Sequence, residues 1–194
     1  MTEALRIWRE RAHPFTAVVM EVTDWDAATP CTEWRARDIV AHIISTEREF
    51  IETHQLIADP HQIETSGEPA GQWAGHESLV AGLLADPEVA NRRFAGYFGP
   101  STVGETLAGF YGGDLLVHRW DLAVSQGMEA GLTEKELQDI DSSMDGFGEL
   151  AYAPGLFERP VDIPGTAALE QRVLARTGRS VPFAAARSVV RPIQ

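Results

Sequence analysis

Gly113-Asp114-Leu115-Leu116-Val117-His118-Arg119-Trp120-Asp121-Leu122-Ala123 is the middle of a stretch that opens at Thr102 and closes at Gly127. Thr102 and Glu105 have the spacing of a capping box, and a glycine past the last periodic residue is a common helix stop. The spacing predicts one helix from Thr102 to about Gln126. Within it Asp114 and His118 are four residues apart, about 6 Å of rise, so both side chains share a face. A helix offers two ligands to one metal ion in this way, as the histidines of HExxH do. The pair then needs a partner from elsewhere in the chain. Gly112-Gly113 costs a helix about 2 kcal/mol relative to alanine. Either the helix breaks there, or a close contact or a ligand needs the bare backbone.

Other helices follow from the same periodicity. Leu5, Trp8, Ala12, Phe15, Val19 and Val22 recur at spacings of three and four, predicting a first helix from Glu3 to about Val22 that Pro14 kinks or divides. A connector, Asp24 to Pro30, leads to a second helix from about Ala36 to Leu56, with Ile39, Ile43, Thr46 and Phe50 in one stripe. Asp59-Pro60 and Thr65-Ser66-Gly67-Glu68-Pro69 read as loop, followed by a short helix from Glu77 to about Leu84. Thr133 and Glu136 cap a further helix reaching about Phe147, and Thr166 to Thr177 reads as a short helix closed by Gly178. No alternating run is long enough to found a sheet, and there is no internal repeat. The expected class is all-α, an antiparallel bundle over 1–155 with a C-terminal segment, 156–194, packed on it.

Composition sets the outer bounds. A chain of 194 residues with 44% hydrophobic and 23% charged residues has the make-up of one globular domain. A formal charge of −13 argues against nucleic acid, which demands a basic face, and against anionic membrane surfaces. No apolar run approaches the roughly 18 residues of a spanning helix, and one cysteine, Cys31, excludes an internal disulfide. A cytoplasmic setting is expected.

His42, flanked by Ala41 and Ile43, is the best third partner for Asp114 and His118. Facing helices of a bundle commonly build metal sites from such residues. Two imidazoles and a carboxylate leave coordination positions open, as in catalytic zinc sites and in the facial triad of iron enzymes. Asp121, three residues after His118, can orient that ring from outside the coordination sphere or sit solvated on the helix. Duller readings stay open for the others too: Asp114 and His118 as a surface pair, His42 as a half-buried histidine. Trp34, Trp73 and Trp120 read as packing residues, and Cys31 as a half-buried thiol with no marked activating neighbour. His13, His54, His61 and His76 fall in polar or turn-rich surroundings and are expected to be exposed. Arg37, Arg48 and Arg119 are the arginines considered for a substrate carboxylate, and nothing in the sequence chooses among them.

The segment Thr29-Pro30-Cys31-Thr32-Glu33-Trp34, running on to Arg37-Asp38-Ile39-Val40-Ala41-His42, resembles the start of the mycothiol-dependent maleylpyruvate isomerase N-terminal domain. Asp114 to Ala123 resembles that family's second signature: a carboxylate, three residues, a histidine, then Trp-Asp-Leu-Ala. Phe157 to Val161 and Leu169 to Arg179 resemble the closing segment of small single-domain members, whereas the two-domain isomerase carries a further C-terminal α+β domain. The resemblance implies a DinB-like four-helix bundle binding a divalent metal through His42, Asp114 and His118. Zinc is the first choice, with nickel or iron as alternatives, and mycothiol is the implied cosubstrate. It also suggests a homodimer. Two departures matter. Asp114 replaces the isomerase's glutamate and, being one methylene shorter, draws the metal toward the helix; Arg35 replaces the usual Ser or Thr N-cap, a loss of about 1 kcal/mol unless Thr32 or water substitutes.

These readings predict a metal-dependent enzyme in which a low-molecular-weight thiol adds to a small electrophilic substrate, by transfer or isomerisation. The alternatives are a metal-dependent hydrolase using water, and a non-catalytic protein that binds a metal or a small molecule.

Overall fold

A computed structural model describes residues 1–32, 34–58, 67–97 and 99–180. Its first helix, α1 (Glu3–Glu21), starts where Thr2 Oγ1 accepts the Leu5 N–H at 3.2 Å. Leu5, Trp8, Ala12, Phe15 and Val19 form the expected buried stripe. Pro14 lies inside the helix without dividing it. A proline removes one backbone hydrogen bond, and burial of five side chains on one stripe outweighs that loss.

The second helix, α2 (Ala36–Thr53), buries Ile39, Val40, Ile43, Ile44, Phe50 and Ile51. Arg35 gives it no side-chain cap; instead the Asp38 carboxylate accepts the Arg35 backbone N–H at 2.8 Å. Half a capping box thus remains, with Asp38 also placed favourably at the positive end of the helix.

The third helix, α3 (Pro69–Ala85), begins eight residues before the expected Glu77. Pro69 belongs to its first turn, where a missing N–H is harmless, and not to a loop. After the short α4 (Pro87–Ala90) comes a hairpin absent from the sequence reading, β1 (Arg93–Gly96) and β2 (Gly99–Thr102), antiparallel with Arg93 opposite Thr102. Four-residue strands are too short for alternation to show.

The helix predicted from Thr102 is continuous but not uniform. It runs as α5 (Val103–Glu105), a π-helical stretch Thr106–Tyr111, and α6 (Gly112–Ser125). The capping box is present, with Thr102 Oγ1 accepting the Glu105 N–H at 3.1 Å and Glu105 Oε2 accepting the Thr102 N–H at 2.8 Å. A wide π turn frees carbonyl oxygens, and Arg11 Nη1 of α1 donates to Ala108 O at 2.9 Å and Gly109 O at 2.8 Å. A Cβ at Gly112 would stand 3.1 Å from Arg11 Cδ. The bare backbone at Gly112 therefore admits an arginine side chain from the neighbouring helix. Gly127, at φ +70°, ends α6 as expected.

α1, α2, α3 and α6 pack on one another as an all-α, DinB-like bundle around a single main core. Beyond it α7 (Glu134–Phe147), a 3₁₀ turn (Gly148–Tyr152) and α8 (Leu169–Arg176) follow. Val117 and Leu116 of α6 join Leu137 and Ile140 of α7 and Val173 of α8 in a second apolar cluster. Trp120 Nε1 also donates to Glu170 Oε1 at 3.2 Å. α6 is consequently buried on nearly every side, which explains its almost continuous run of buried residues. The expected turns at 59–66, with His61, and the chain beyond residue 180 lie outside the described residues.

Candidate metal centre

α2 and α6 face each other in the bundle, and this brings the two halves of the expected site together. His42 Nε2 lies 3.6 Å from Asp114 Oδ2, and His118 Nε2 lies 3.5 Å from the same oxygen. The two imidazole rings are 5.3 Å apart and steeply inclined. Among the described residues, His42, Asp114 and His118 offer three donor atoms mutually within 4.8 Å. Separations of 3.5–3.6 Å are too long for good hydrogen bonds, which close at about 2.7–3.2 Å. They do match the edge of a tetrahedron around a zinc-sized cation, about 3.3 Å for bonds near 2.0–2.1 Å. The donor set and its spacing fit a divalent metal.

The other side of His118 is different. Its Nδ1 lies 3.0 Å from Asp121 Oδ2, and Asp121 is completely buried, so the solvated reading of Asp121 fails. An ionised carboxylate can only accept, so Nδ1 keeps its proton in either charge state of the ring, and loss of the Nε2 proton leaves the tautomer whose lone pair faces Asp114 and His42. That is the tautomer a metal ligand needs. Asp121 is fixed in turn by Arg179, whose Nε donates to Oδ1 at 3.1 Å and whose Nη2 donates to Oδ2 at 2.7 Å.

The charges reinforce one another. Burial pulls the His118 pKa down, but the Asp114 charge and the hydrogen bonds to Asp121 and Cys31 outweigh it and hold the pKa at about 10. Burial raises the Asp114 carboxyl, and the His118 and His42 imidazoles more than reverse this. Asp121 is likewise driven below the usual carboxylate range: burial opposes ionisation, and the Arg179 charge overcomes it. Two carboxylates on one buried imidazole make a pocket that attracts cations.

Cys31, Trp34 and Arg179 belong to this site, and the sequence reading assigned none of them to it. Cys31 Sγ lies 3.3 Å from both Asp121 Oδ2 and Arg179 Nη2, so this thiol has the charged neighbours it was expected to lack. Trp34 is more than packing: its ring stacks on His118 at 5.8 Å and tilts against His42 at 4.7 Å. Both residues are held by Thr29, whose hydroxyl donates toward Trp34 O and accepts the Cys31 N–H. Thr29-Pro30-Cys31 is a turn signal that could have marked this loop as built. Trp73 and Trp120 are buried packing residues, as expected.

The other candidates lie elsewhere. Arg119 is buried and grips Glu136 with two hydrogen bonds of 2.9 and 2.8 Å, and Arg37 pairs with Asp26 at 2.8 Å. Arg48 is half-buried. His13 is exposed, and His54 is half-buried among Phe50 and Phe94. His76 contradicts the expectation of exposure. It is buried on α3, with Nε2 2.8 Å from Glu47 Oε2. Trp73, His76, Val80 and Leu84 recur at helical spacing, a signal hidden by the glycines between them.

The sequence profile of the mycothiol maleylpyruvate isomerase N-terminal domain matches residues 8–123. The chain belongs to this family. The match runs from within α1 to within α6, and therefore covers His42, Asp114, His118 and Asp121, but not Arg179. The family is one of mycothiol-related, DinB-like metal-binding domains. No curated protein and no solved structure matches the chain. No helix among the described residues is long and apolar enough to cross a membrane.

Proposed function

We propose that the protein is a divalent-metal-dependent enzyme in which a low-molecular-weight thiol, mycothiol by family, attacks a small electrophilic substrate. The observation that carries this reading is the convergence of His42 Nε2, Asp114 Oδ2 and His118 Nε2 on one point, with Asp121 fixing the His118 tautomer. Three protein donors leave a position free, as catalytic sites do and closed structural zinc sites do not. His42, Asp114 and His118 would hold a divalent cation, which would supply the Lewis acidity that favours the thiolate form of a thiol.

The chain's own groups do the rest. His42 and Asp114, each about a quarter exposed, form the open lip through which thiol and substrate arrive, while His118 forms the buried floor. Trp34 covers one side of both imidazoles and keeps water from that flank. Asp121 holds the Nδ1 proton and so prevents His118 from turning its protonated nitrogen toward the ligand.

The test is metal content and thiol binding of purified protein, followed by His42→Ala and His118→Ala. One divalent ion per chain and saturable mycothiol binding, both lost in the two variants, support the proposal. Metal-free protein, or variants that bind thiol as the wild type does, would end it. Turnover of esters or amides without thiol would reassign the same centre to hydrolysis.

A further inference from the structure

We infer that Arg179 is a positioning residue of the metal centre, through which the C-terminal segment holds His118 in its ligating orientation. The inference rests on the metal reading above and adds a residue beyond the part of the chain that matches the family.

The path starts from local backbone. α8 ends at Arg176, and Gly178 follows at φ +83°, a conformation that side chains rarely adopt. A Cβ at Gly178 would fall 2.4 Å from Glu158 Cβ, so glycine is required twice over. The turn is closed by Gly178 N donating to Ala175 O at 3.1 Å and Arg179 N donating to Leu174 O at 3.1 Å. This reverses the chain and sends the Arg179 side chain back toward α6.

There Arg179 is buried, with a hydrogen bond from each of its three nitrogens. Nη1 donates to Thr177 O at 2.7 Å, Nε and Nη2 grip the two oxygens of Asp121, and Nη2 also approaches Cys31 Sγ. The Phe157 ring lies 5.8 Å from the guanidinium carbon. A planar fork engaging two carboxylate oxygens fixes the carboxylate plane, which one point charge cannot do. With its plane fixed, Asp121 Oδ2 presents one lone pair to Arg179 and another to His118 Nδ1.

The placement also decides which of two candidate clusters is available. Cys31, His118 and Asp121 form a second trio of potential donors within 4.8 Å of one another. Arg179 already places its positive charge against two of these three residues, so a metal ion there would meet a cation. Arg179 thus blocks the Nδ1 side and leaves the Nε2 side for the metal.

The experiment uses the full chain loaded with Co²⁺ as a spectroscopic stand-in for zinc. Metal affinity comes from chelator competition and ligand geometry from the visible absorption bands, in wild type, Arg179→Met and Arg179→Lys. Both variants should bind Co²⁺ roughly 10-fold to 100-fold more weakly with altered bands, the usual effect of losing a group that orients a ligand. Lysine keeps the charge without the fork, so Arg179→Lys should fold as the wild type does and still lose affinity. Metal loading should also slow amide exchange over residues 173–180 in wild type and not in Arg179→Lys. Wild-type affinity and spectrum in Arg179→Lys would overturn the positioning role and leave the metal reading intact. A wild type that takes up no Co²⁺ would overturn both.

Discussion

Among the described residues the bundle contains two buried carboxylate–imidazole pairs, His118–Asp121 at 3.0 Å and His76–Glu47 at 2.8 Å, and only one belongs to the candidate site. At His118 the second ring nitrogen faces Asp114 and His42 across a gap open to solvent on one side. At His76 the second nitrogen, Nδ1, is enclosed in the core without a hydrogen-bond partner among the described residues, as is Glu47 Oε1. The supporting charge differs as well, since Asp121 is clamped by Arg179 while the Glu47 carboxyl is raised, burial outweighing its hydrogen bond to His76. Burial and pairing alone do not make a histidine functional. What sets His118 apart is that Asp121 engages its Nδ1 while its Nε2 faces two further donors, Asp114 and His42.

The sharpest separation comes from removing His76. Deleting His76 opens a cavity and strips the buried Glu47 carboxyl of its hydrogen-bond partner, so His76→Ala should lose about 3 kcal/mol or more of stability by chemical denaturation. Its uptake of metal by folded protein should equal that of the wild type. Loss of metal from folded His76→Ala would erase the distinction between the pairs.

Asp121→Asn works in the opposite sense. An amide can present its N–H₂ to His118 Nδ1 and favour the wrong tautomer, so metal should bind about 10-fold to 100-fold more weakly. That is about 1.4–2.8 kcal/mol of binding free energy. Chelator competition measures it, and unchanged affinity would deny Asp121 its orienting role.

The smallest effect is a pH dependence at Glu47. Its carboxyl is raised in the folded chain, so the native state holds this proton more tightly than the unfolded state does. The stability it contributes is complete below the unfolded value of 4.5 and declines as pH rises through the folded value. Glu47→Gln lacks this decline. Its stability relative to wild type should therefore grow as pH rises above 4.5 in denaturation series. A difference that shrinks over the same range would show that Glu47 is held charged.

Much of this was legible in sequence because helices carry periodic traces. The four-residue spacing of Asp114 and His118, and Asp121 one turn later, survive any packing arrangement, since the helix itself fixes them. His42 was legible from its place on an apolar-flanked helix. Arg179 left no trace, because it reaches Asp121 through a turn whose direction depends on Gly178 meeting Glu158. Cys31 and Trp34 sit in a loop organised by one threonine hydroxyl, a contact without a period. His76 was misjudged for a related reason. Gly71, Gly75 and Gly82 dilute the apolar pattern of α3, and the helix start at Pro69 read as a turn. The π-helical stretch was announced only by Gly112-Gly113, whose purpose depends on Arg11 of another helix.

One measurement bears on all of this most directly: elemental analysis of wild type and His118→Ala, purified without chelator or a metal-affinity tag. The expected result is one divalent metal ion per wild-type chain and none in folded His118→Ala. Metal-free wild type, or His118→Ala that keeps a full equivalent, would contradict it.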